Sequence, residues 1–415
     1  MGYKGTIVMI GNPDSPLFVE LAKEYKPYCS KMILVSRYSG SQSKYRDDKI
    51  SFVSTINNES KTFRIYLSIL ARILMFVVLI ERLFSKEGRS ISIVEPIIQS
   101  ISVSRYVNKL EDVKFVVAHN VFTYGLAALK CKKTIRVMRP WGGDVYQYAF
   151  RSKLNFSLTK KVLQKSDVVD AISPALYKYL KEEYKLGDNL ILNAATYYMG
   201  AAETIEIKKH YTKKATRKEL GLPENKTIIL NSRRFKEKWG SEEVFELFIQ
   251  LSEKYPDLHF ILFSGSGSEE KIKEKKKLLA EKNLLSRFTL FEKNMDLMSY
   301  LKVVYSSDIF VSLMHEADLR SASIMAGLHC DSLPIISDQP EYHEMINEGA
   351  MMQIVNYSDT DAAILACEKY LFDEEFKLKT IEANRHFISG QLKTEEHGEV
   401  LIKKIGEVKQ LKKTE

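Results

Sequence analysis

The chain has 415 residues, of which 45% are hydrophobic and 28% are charged, and its formal net charge is +9. This length and balance predict a globular protein of two or three domains, which excludes disordered and fibrous classes. The positive charge favours anionic partners such as nucleotide diphosphates or acidic lipid surfaces, and it is equally typical of a solvated surface of lysines and glutamates.

Four cysteines are scattered along the chain, with no CxxC pair and no spacing typical of metal ligands. Such a distribution argues against disulfides and structural zinc and fits a reducing cytoplasm. The N-terminus leads directly into the apolar segment 5–10 without a recognisable signal peptide. The sequence therefore predicts a cytoplasmic protein without a bound metal.

The chain opens with a strand, a glycine turn and a helix. Residues 5–10 are apolar, Gly11 and Asn12 begin a tight turn, and a helix is predicted over 16–25. This order is typical of a Rossmann-type domain. The full GxGxxG pattern is missing, so no dinucleotide site is predicted here.

Residues 63–84 are the most apolar stretch of the sequence. The longest uninterrupted apolar run, 73–80, has eight residues, which is too short for a spanning helix of about 20. Two interpretations are favoured over a true span: a helix buried in the core, or a helix lying on a membrane surface with flanking arginines.

Two predicted strands of the N-terminal half end in polar residues. Strand 114–118 ends at His119, and strand 134–138 continues into a turn that contains Gly143 and Asp144. Since ligands bind at the carboxyl ends of parallel strands, these residues are candidates for a binding site. A helix N-cap is an equally good interpretation of Asp144, and a lone histidine is usually structural.

Basic residues and glycines follow the predicted strands of the C-terminal half. Arg233, Arg234 and Lys238 come after strand 227–231, and Gly265 and Gly267 end the next strand. Fixed cations and close backbone approach are what a phosphate site needs. A third strand, 309–313, leads into a polar loop that precedes a helix of small residues. That loop contributes four candidates: His315, Glu316, Asp318 and Ser321.

Two short motifs are interpreted as helix starts. Ser173 precedes Pro174 and an amphipathic stretch, which is typical of an N-cap. The sequence Asp359-Thr360-Asp361 has the form of a DxD metal motif, but it opens a helical stretch, so capping is favoured.

Several stretches resemble the group 1, family-4-like glycosyltransferases of GT-B fold. The resemblance is carried by Asp308 with Phe310-Val311, by Met325-Ala326, by Pro334-Ile335-Ile336, by Glu344 with Gly349, and by the R-x-x-L-G-L-P entry from Arg217 to Pro223. It implies an α/β protein with two Rossmann-like domains facing a central cleft and a C-terminal helix that crosses back. We accordingly predict an N-terminal domain over 1–202, a linker over 203–226, a donor-binding domain over 227–385 and a returning helix over 386–415.

The resemblance also assigns roles. Arg233 and Lys238 would hold the donor diphosphate, and His119 with Asp144 would act on the acceptor side. Donor contacts would come from Arg234, Gly265, Gly267, His315, Glu316, Asp318, Ser321 and Ser323, and acceptor contacts from Gly11, Asn12 and Gly143. One departure stands out, because the two glutamates of the family fall at His315 and Ser323.

The function expected from this resemblance is transfer of a hexose from a nucleotide-diphosphate sugar to a glycan or lipid-linked acceptor. The reaction would retain configuration and need no metal or other cofactor, in the synthesis of cell-surface polysaccharide or glycoconjugates. A location in the cytoplasm, peripheral on the inner face of an anionic membrane, fits this role, and no nucleic-acid partner is expected because basic and aromatic residues do not alternate on one element. The alternatives are a catalytically weak homologue that serves as a scaffold partner, and a sugar-nucleotide epimerase.

Overall fold

The computed structural model describes residues 5–12, 16–40, 47–84, 93–193, 200–235, 237–263, 269–292, 295–315, 321–390 and 394–414. The chain forms two compact units. The first consists of Met1–Thr196 with Leu392–Glu415, and the second consists of Tyr197–Gln391. Each unit contains one parallel sheet, which confirms the predicted α/β class with two Rossmann-like domains.

The first unit is built on seven parallel strands in the order β3-β2-β1-β4-β5-β6-β7. Its strands are β1 (Thr6–Ile10), β2 (Lys31–Ser36), β3 (Ile50–Ser54), β4 (Val113–His119), β5 (Ile135–Arg139), β6 (Val168–Ala171) and β7 (Leu190–Leu192). Its helices are α1 (Pro16–Tyr25), α2 (Lys61–Phe84), α3 (Val94–Val107), α4 (Val121–Leu129), α5 (Lys153–Gln164) and α6 (Pro174–Glu183). The central strands are continuous apolar runs because helices cover both faces of such a sheet.

The second unit is built on six parallel strands in the order β10-β9-β8-β11-β12-β13. They are β8 (Thr227–Asn231), β9 (Leu258–Phe263), β10 (Phe288–Phe291), β11 (Ile309–Ser312), β12 (Leu333–Ser337) and β13 (Gln353–Val355). The helices are α7 (Ala201–His210), α8 (Lys213–Glu219), α9 (Ser241–Lys254), α10 (Glu269–Glu281), α11 (Leu297–Ser306), α12 (Ala322–His329), α13 (Pro340–Asn347), α14 (Thr360–Phe372) and α15 (Glu374–Ser389).

Alternate residues of the central strand β8 point into two separate apolar layers of the second unit. Ile229 packs with α9 residues such as Phe248 on one face, whereas Ile228 and Leu230 pack with α11 and α12 on the other. This period of two follows from strand geometry. Both faces are covered, so the carboxyl edge of the sheet is where polar residues gather.

The domain boundaries of the structure differ in detail from the predicted ones. Residues 203–226, predicted as a linker, include α7 and α8 and lie within the second unit. The helical pattern after residue 374 is divided into α15, in the second unit, and α16 (Thr394–Thr414), in the first unit. Helix α16 contacts α1 and β6 there.

Two of the motif positions serve as structural clamps. Arg217 donates to the backbone oxygen of Ser306 at 2.9 Å and to the Asp308 carboxylate at 2.6 Å. The same carboxylate oxygen accepts the Ile228 backbone N–H at 2.9 Å. Because it joins α8, β8 and the residue before β11 at one partly buried point, this clamp fixes the entry of the chain into the second sheet.

The two predicted helix starts are present. The Ser173 hydroxyl accepts the backbone N–H of Leu176 at 3.1 Å, and Pro174 is the first residue of α6. The Asp359 carboxylate accepts the backbone N–H of Ala362 at 2.9 Å and so caps α14. The DxD sequence therefore serves helix capping, as favoured.

Candidate active site

In the first unit, the candidate acceptor residues lie at the carboxyl ends of β1 and β4. His119 is the last residue of β4 and is 6% exposed, with its ring 6.2 Å from that of Phe18 and 5.9 Å from that of Trp141. It lines a cavity of about 280 Å³. The other lining residues are Asn12, Phe18, Leu21, Asn120, Thr123, Tyr124 and Trp141. The structure thus brings together two predicted residues, His119 and Asn12, around one space.

Gly11 explains how Phe18 reaches this cavity. A Cβ atom at position 11 would lie 2.6 Å from the Phe18 ring. Any side chain larger than hydrogen would displace that ring, and Phe18 in turn supports His119. Gly143 is different, because a Cβ there would meet only the Gln147 side chain at 3.9 Å. Packing therefore places no comparable demand on Gly143.

Asp144 lies beside the cavity but turns its carboxylate to the backbone. One oxygen accepts the Trp141 N–H at 2.8 Å, and the other accepts the Val121 N–H at 2.6 Å. Burial raises the pKa of Asp144 to about 6, although its backbone hydrogen bonds oppose that shift. The carboxylate fixes the turn at Trp141 against the first residue of α4, which is a structural role like that of a helix cap.

Sequence reasoning missed several residues of this region. Trp141, Thr123 and Tyr124 line the cavity, and they follow the strand ends that had been singled out. Arg139 and Asp170 form a buried ion pair at 2.8 Å across the neighbouring strands β5 and β6. Pairing the predicted strands in parallel could have indicated these residues, because the register of β4 and β5 places Arg139 beside His119.

In the second unit, Arg233 connects the ends of two elements. Asn231, the last residue of β8, accepts the Arg233 N–H at 3.0 Å and donates to the backbone of β11 at 2.9 Å. The Arg233 guanidinium donates to the Ser321 hydroxyl, which lies 2.9 Å from that of Ser323. Three predicted donor residues therefore meet at the first turn of α12, where the helix dipole is positive.

His315 is held by a partner that the sequence did not reveal. Its Nε2 lies 2.6 Å from the carboxylate of Glu243, in the first turn of α9, and its ring centroid lies 4.4 Å from that of Tyr357 at an interplanar angle of 32°. An ionised carboxylate only accepts hydrogen bonds, so Nε2 carries the hydrogen and donates it to Glu243. Residue 315 thus brings an imidazole and, through it, a glutamate to the loop after β11.

Gly240 allows the loop after β8 to pack closely against the backbone at Leu313, directly after β11. Its φ is +61°, and a Cβ there would lie 1.4 Å from the Leu313 carbonyl oxygen. Lys238 lies in the short 3₁₀ turn Glu237–Trp239, just before this glycine. Arg234 is exposed, and its backbone oxygen accepts the Ser241 hydroxyl at 3.0 Å. The close packing at Gly240 therefore fixes the backbone that carries the basic residues.

The remaining predicted donor residues, Gly265, Gly267, Glu316 and Asp318, and the side chain of Lys238 lie outside the described residues. Across the described ranges, no three His, Cys, Asp or Glu side chains are arranged to hold a metal ion.

Comparisons with known proteins identify the second unit. Residues 212–387 match the family described as Glycosyl transferases group 1, which covers the region of Arg217, Arg233 and α12. A search of curated proteins finds no match.

Solved structures resemble the whole chain. HepE from Anabaena, in complex with UDP, has a TM-score of 0.71 at 11% identity, covering 97% of this chain and 100% of HepE. Sucrose-phosphate synthase from Thermosynechococcus elongatus has a TM-score of 0.71 at 16% identity, with coverage of 99% and 100%. A UDP-forming trehalose-phosphate synthase from Burkholderia vietnamiensis has a TM-score of 0.71 at 10% identity, with coverage of 99% of both chains.

The TM-scores show a shared fold, and the family match adds the activity. The predicted relationship to group 1 glycosyltransferases is therefore confirmed. The second unit carries a domain of the glycosyl transferases group 1 family, and the chain is a glycosyltransferase of GT-B fold.

Proposed function

We propose that the enzyme transfers a hexose from a nucleotide-diphosphate sugar to a glycan or lipid-linked acceptor, with retention of configuration and without a metal. The observation that carries the donor part is the contact of the Arg233 guanidinium with Ser321 at the start of α12. A cation beside a helix N-terminus is the arrangement that stabilises a phosphate group. Uracil is the first nucleobase to test, because HepE is solved with UDP and with UDP-glucose.

The chemistry follows from where charge develops. When the glycosidic bond breaks, negative charge grows on the diphosphate leaving group, and fixed cations lower the energy of that state. Arg233 and Lys238 would supply the cations, and the backbone N–H groups at the start of α12 would supply a positive dipole. The donor phosphate would accept the proton of the acceptor hydroxyl.

The proposal for the acceptor rests on the cavity beside His119. Its lining is mixed, with Asn12 and Thr123 as polar groups and Trp141 and Phe18 as aromatic surfaces. Aromatic faces next to hydrogen-bonding side chains are suited to a sugar ring. We propose that this cavity takes the acceptor, in cell-surface polysaccharide or glycoconjugate synthesis at the inner membrane face.

A panel of nucleoside diphosphates tests the donor proposal. A nucleotide at about one hundred times its dissociation constant should stabilise the folded protein by about 2.7 kcal/mol, which thermal shift detects. The best nucleotide then defines the sugars to test for release of free nucleotide with and without membrane extract. Stabilisation without any release of nucleotide from the sugars would favour the scaffold alternative, and no stabilisation by any nucleotide would contradict the proposal.

The missing glutamate at position 323 leads to a second prediction. In the family that the chain resembles, the second glutamate binds the ribose hydroxyls of the nucleotide. The Ser323 hydroxyl at that position lies 2.9 Å from the Ser321 hydroxyl and cannot make the bidentate contact of a carboxylate. We expect Glu316 or Asp318 to bind the ribose instead, so Glu316→Gln or Asp318→Asn should weaken nucleotide binding by roughly tenfold, about 1.4 kcal/mol.

Isothermal titration of both variants measures this effect, and Ser323→Glu provides the matched gain-of-function control. If both carboxylate variants bind the nucleotide as the wild type does, a neighbouring carboxylate does not replace the glutamate. If Ser323→Glu in addition tightens binding, the natural site is a weakened one.

A further inference from the structure

Helix α2 carries an apolar stripe on its outer side, and the exposed Arg72 lies on the same face. Five large hydrophobic residues on this side are between 53% and 65% exposed: Ile65, Ile69, Ile73, Phe76 and Leu79. Their spacing of four, four, three and three residues places them on one face of the helix. At a rise of about 1.5 Å per residue, the stripe is roughly 21 Å long.

The opposite side of α2 is already packed, so the stripe is not needed for the core. Leu67 is 1% exposed, and Leu70 and Leu74 pack with it against Ile98 of α3 and Phe122 of α4. Single exposed hydrophobic residues are common on protein surfaces, but a contiguous row on one helix indicates an interaction surface. The first unit therefore presents α2 as an anchored helix with a free apolar face.

The charges along the stripe are positive up to residue 80, and Glu81 with Arg82 follows at its C-terminal end. Lys61, Arg64 and Arg72 are exposed, and no aspartate or glutamate occurs between residues 61 and 80. Arg64 is oriented by a hydrogen bond of 2.6 Å to the backbone oxygen of Ile56. An apolar row whose exposed charges up to residue 80 are cations matches the acyl boundary and the anionic headgroups of a lipid bilayer.

We propose that the outer face of α2 docks this enzyme in the plane of an anionic membrane. No helix among the described residues is both long and apolar enough to cross a membrane, so α2 is assigned to the surface and not to a span. A second copy of the chain fits the stripe poorly, because it would place the arginines of two α2 helices against each other. The inference extends the proposed membrane-borne acceptor by naming the element that reaches the lipid.

Vesicle sedimentation of the full chain tests the docking surface. We expect binding to phosphatidylcholine vesicles that contain phosphatidylglycerol, weaker binding to phosphatidylcholine alone, and weaker binding at about 500 mM salt than at about 50 mM. The double variant Ile69→Glu with Phe76→Glu should reduce the vesicle-bound fraction at least about tenfold, because two carboxylates would have to enter the interface. Arg64→Gln with Arg72→Gln should remove most of the salt dependence.

The matched control is Leu365→Glu, since Leu365 is equally exposed at 65% but lies on α14 of the second unit. Circular dichroism melting of each variant shows that folding is intact. Wild-type binding by the Ile69/Phe76 double variant, or no vesicle binding by the wild type at either salt, would overturn the proposal. So would a dimer in solution that the Ile69/Phe76 variant dissociates.

This assay separates the docking proposal from the proposed reaction. Vesicle binding needs neither donor nor turnover, so docking without nucleotide binding would leave the surface assigned and contradict the donor proposal. Nucleotide release without vesicle binding would support the donor proposal and contradict the docking surface.

Discussion

Replacing Arg233 with alanine is expected to lower kcat by about 10²–10³-fold, which corresponds to roughly 3–4 kcal/mol of transition-state stabilisation. The reason is position: the guanidinium stands at the first turn of α12, against Ser321, where cation and helix dipole add. Lys238→Ala should cost a similar amount, about 2–4 kcal/mol, if its ammonium binds the same diphosphate. Steady-state kinetics with the nucleotide sugar, together with nucleotide affinity, measures both effects.

The loss of activity at position 233 should depend on the shape of the side chain as well as on its charge. Arg233→Lys keeps the charge but loses the planar fork that contacts phosphate at two points, so it should recover only part of the activity. Lys277→Ala is the control, because this lysine on α10 is 80% exposed and pairs with Glu281 of the same helix at 3.7 Å. Unchanged turnover and unchanged nucleotide affinity in Arg233→Ala and Lys238→Ala would remove these residues from the donor site.

Replacing Gly240 with alanine is expected to destabilise the second unit by more than about 3 kcal/mol. The backbone there has a φ of +61°, which costs a residue with a Cβ roughly 1–2 kcal/mol. The larger part comes from the Leu313 carbonyl oxygen, only 1.4 Å from the new Cβ, since backbone atoms on one side must move apart. Urea unfolding gives the free energy, and nucleotide affinity shows whether the loop with Arg233 is displaced.

A second glycine separates the two contributions. Gly221 has nearly the same φ, +66°, but no atom lies within 4 Å of a Cβ at that position. Gly221→Ala should therefore cost only the conformational part, about 1–2 kcal/mol. Equal losses for Gly221→Ala and Gly240→Ala would mean that the contact with Leu313 does not limit stability.

Much of the fold could be predicted from local patterns. Apolar runs marked the strands, and Ser173 and Asp359 marked helix starts, because a cap needs only the residues within its own first turn. The resemblance around Arg217 and Asp308 identified the family correctly. The resemblance did not indicate what these two residues do in the structure, where they hold α8, β8 and β11 together.

The candidate site was harder to predict because its partners are distant in sequence. Nothing near His315 in the chain indicates Glu243, 72 residues away. The sequence around Asp144 would be the same whether its carboxylate faced a substrate or, as in the structure, two backbone N–H groups. The orientation of a side chain depends on which elements pack beside it, and local sequence does not contain that information.

The sequence by itself determined the class of the protein, since the order of strands, turns and helices and the motifs from Arg217 to Gly349 specify two α/β units and a glycosyltransferase. Only the tertiary structure decided how individual residues are used. It divided α2 into a packed side around Leu67 and an exposed side around Ile69, and it joined Arg233 to Ser321. The physical reason is that periodicity encodes local backbone geometry, whereas burial and contacts arise from the register between segments far apart in the chain.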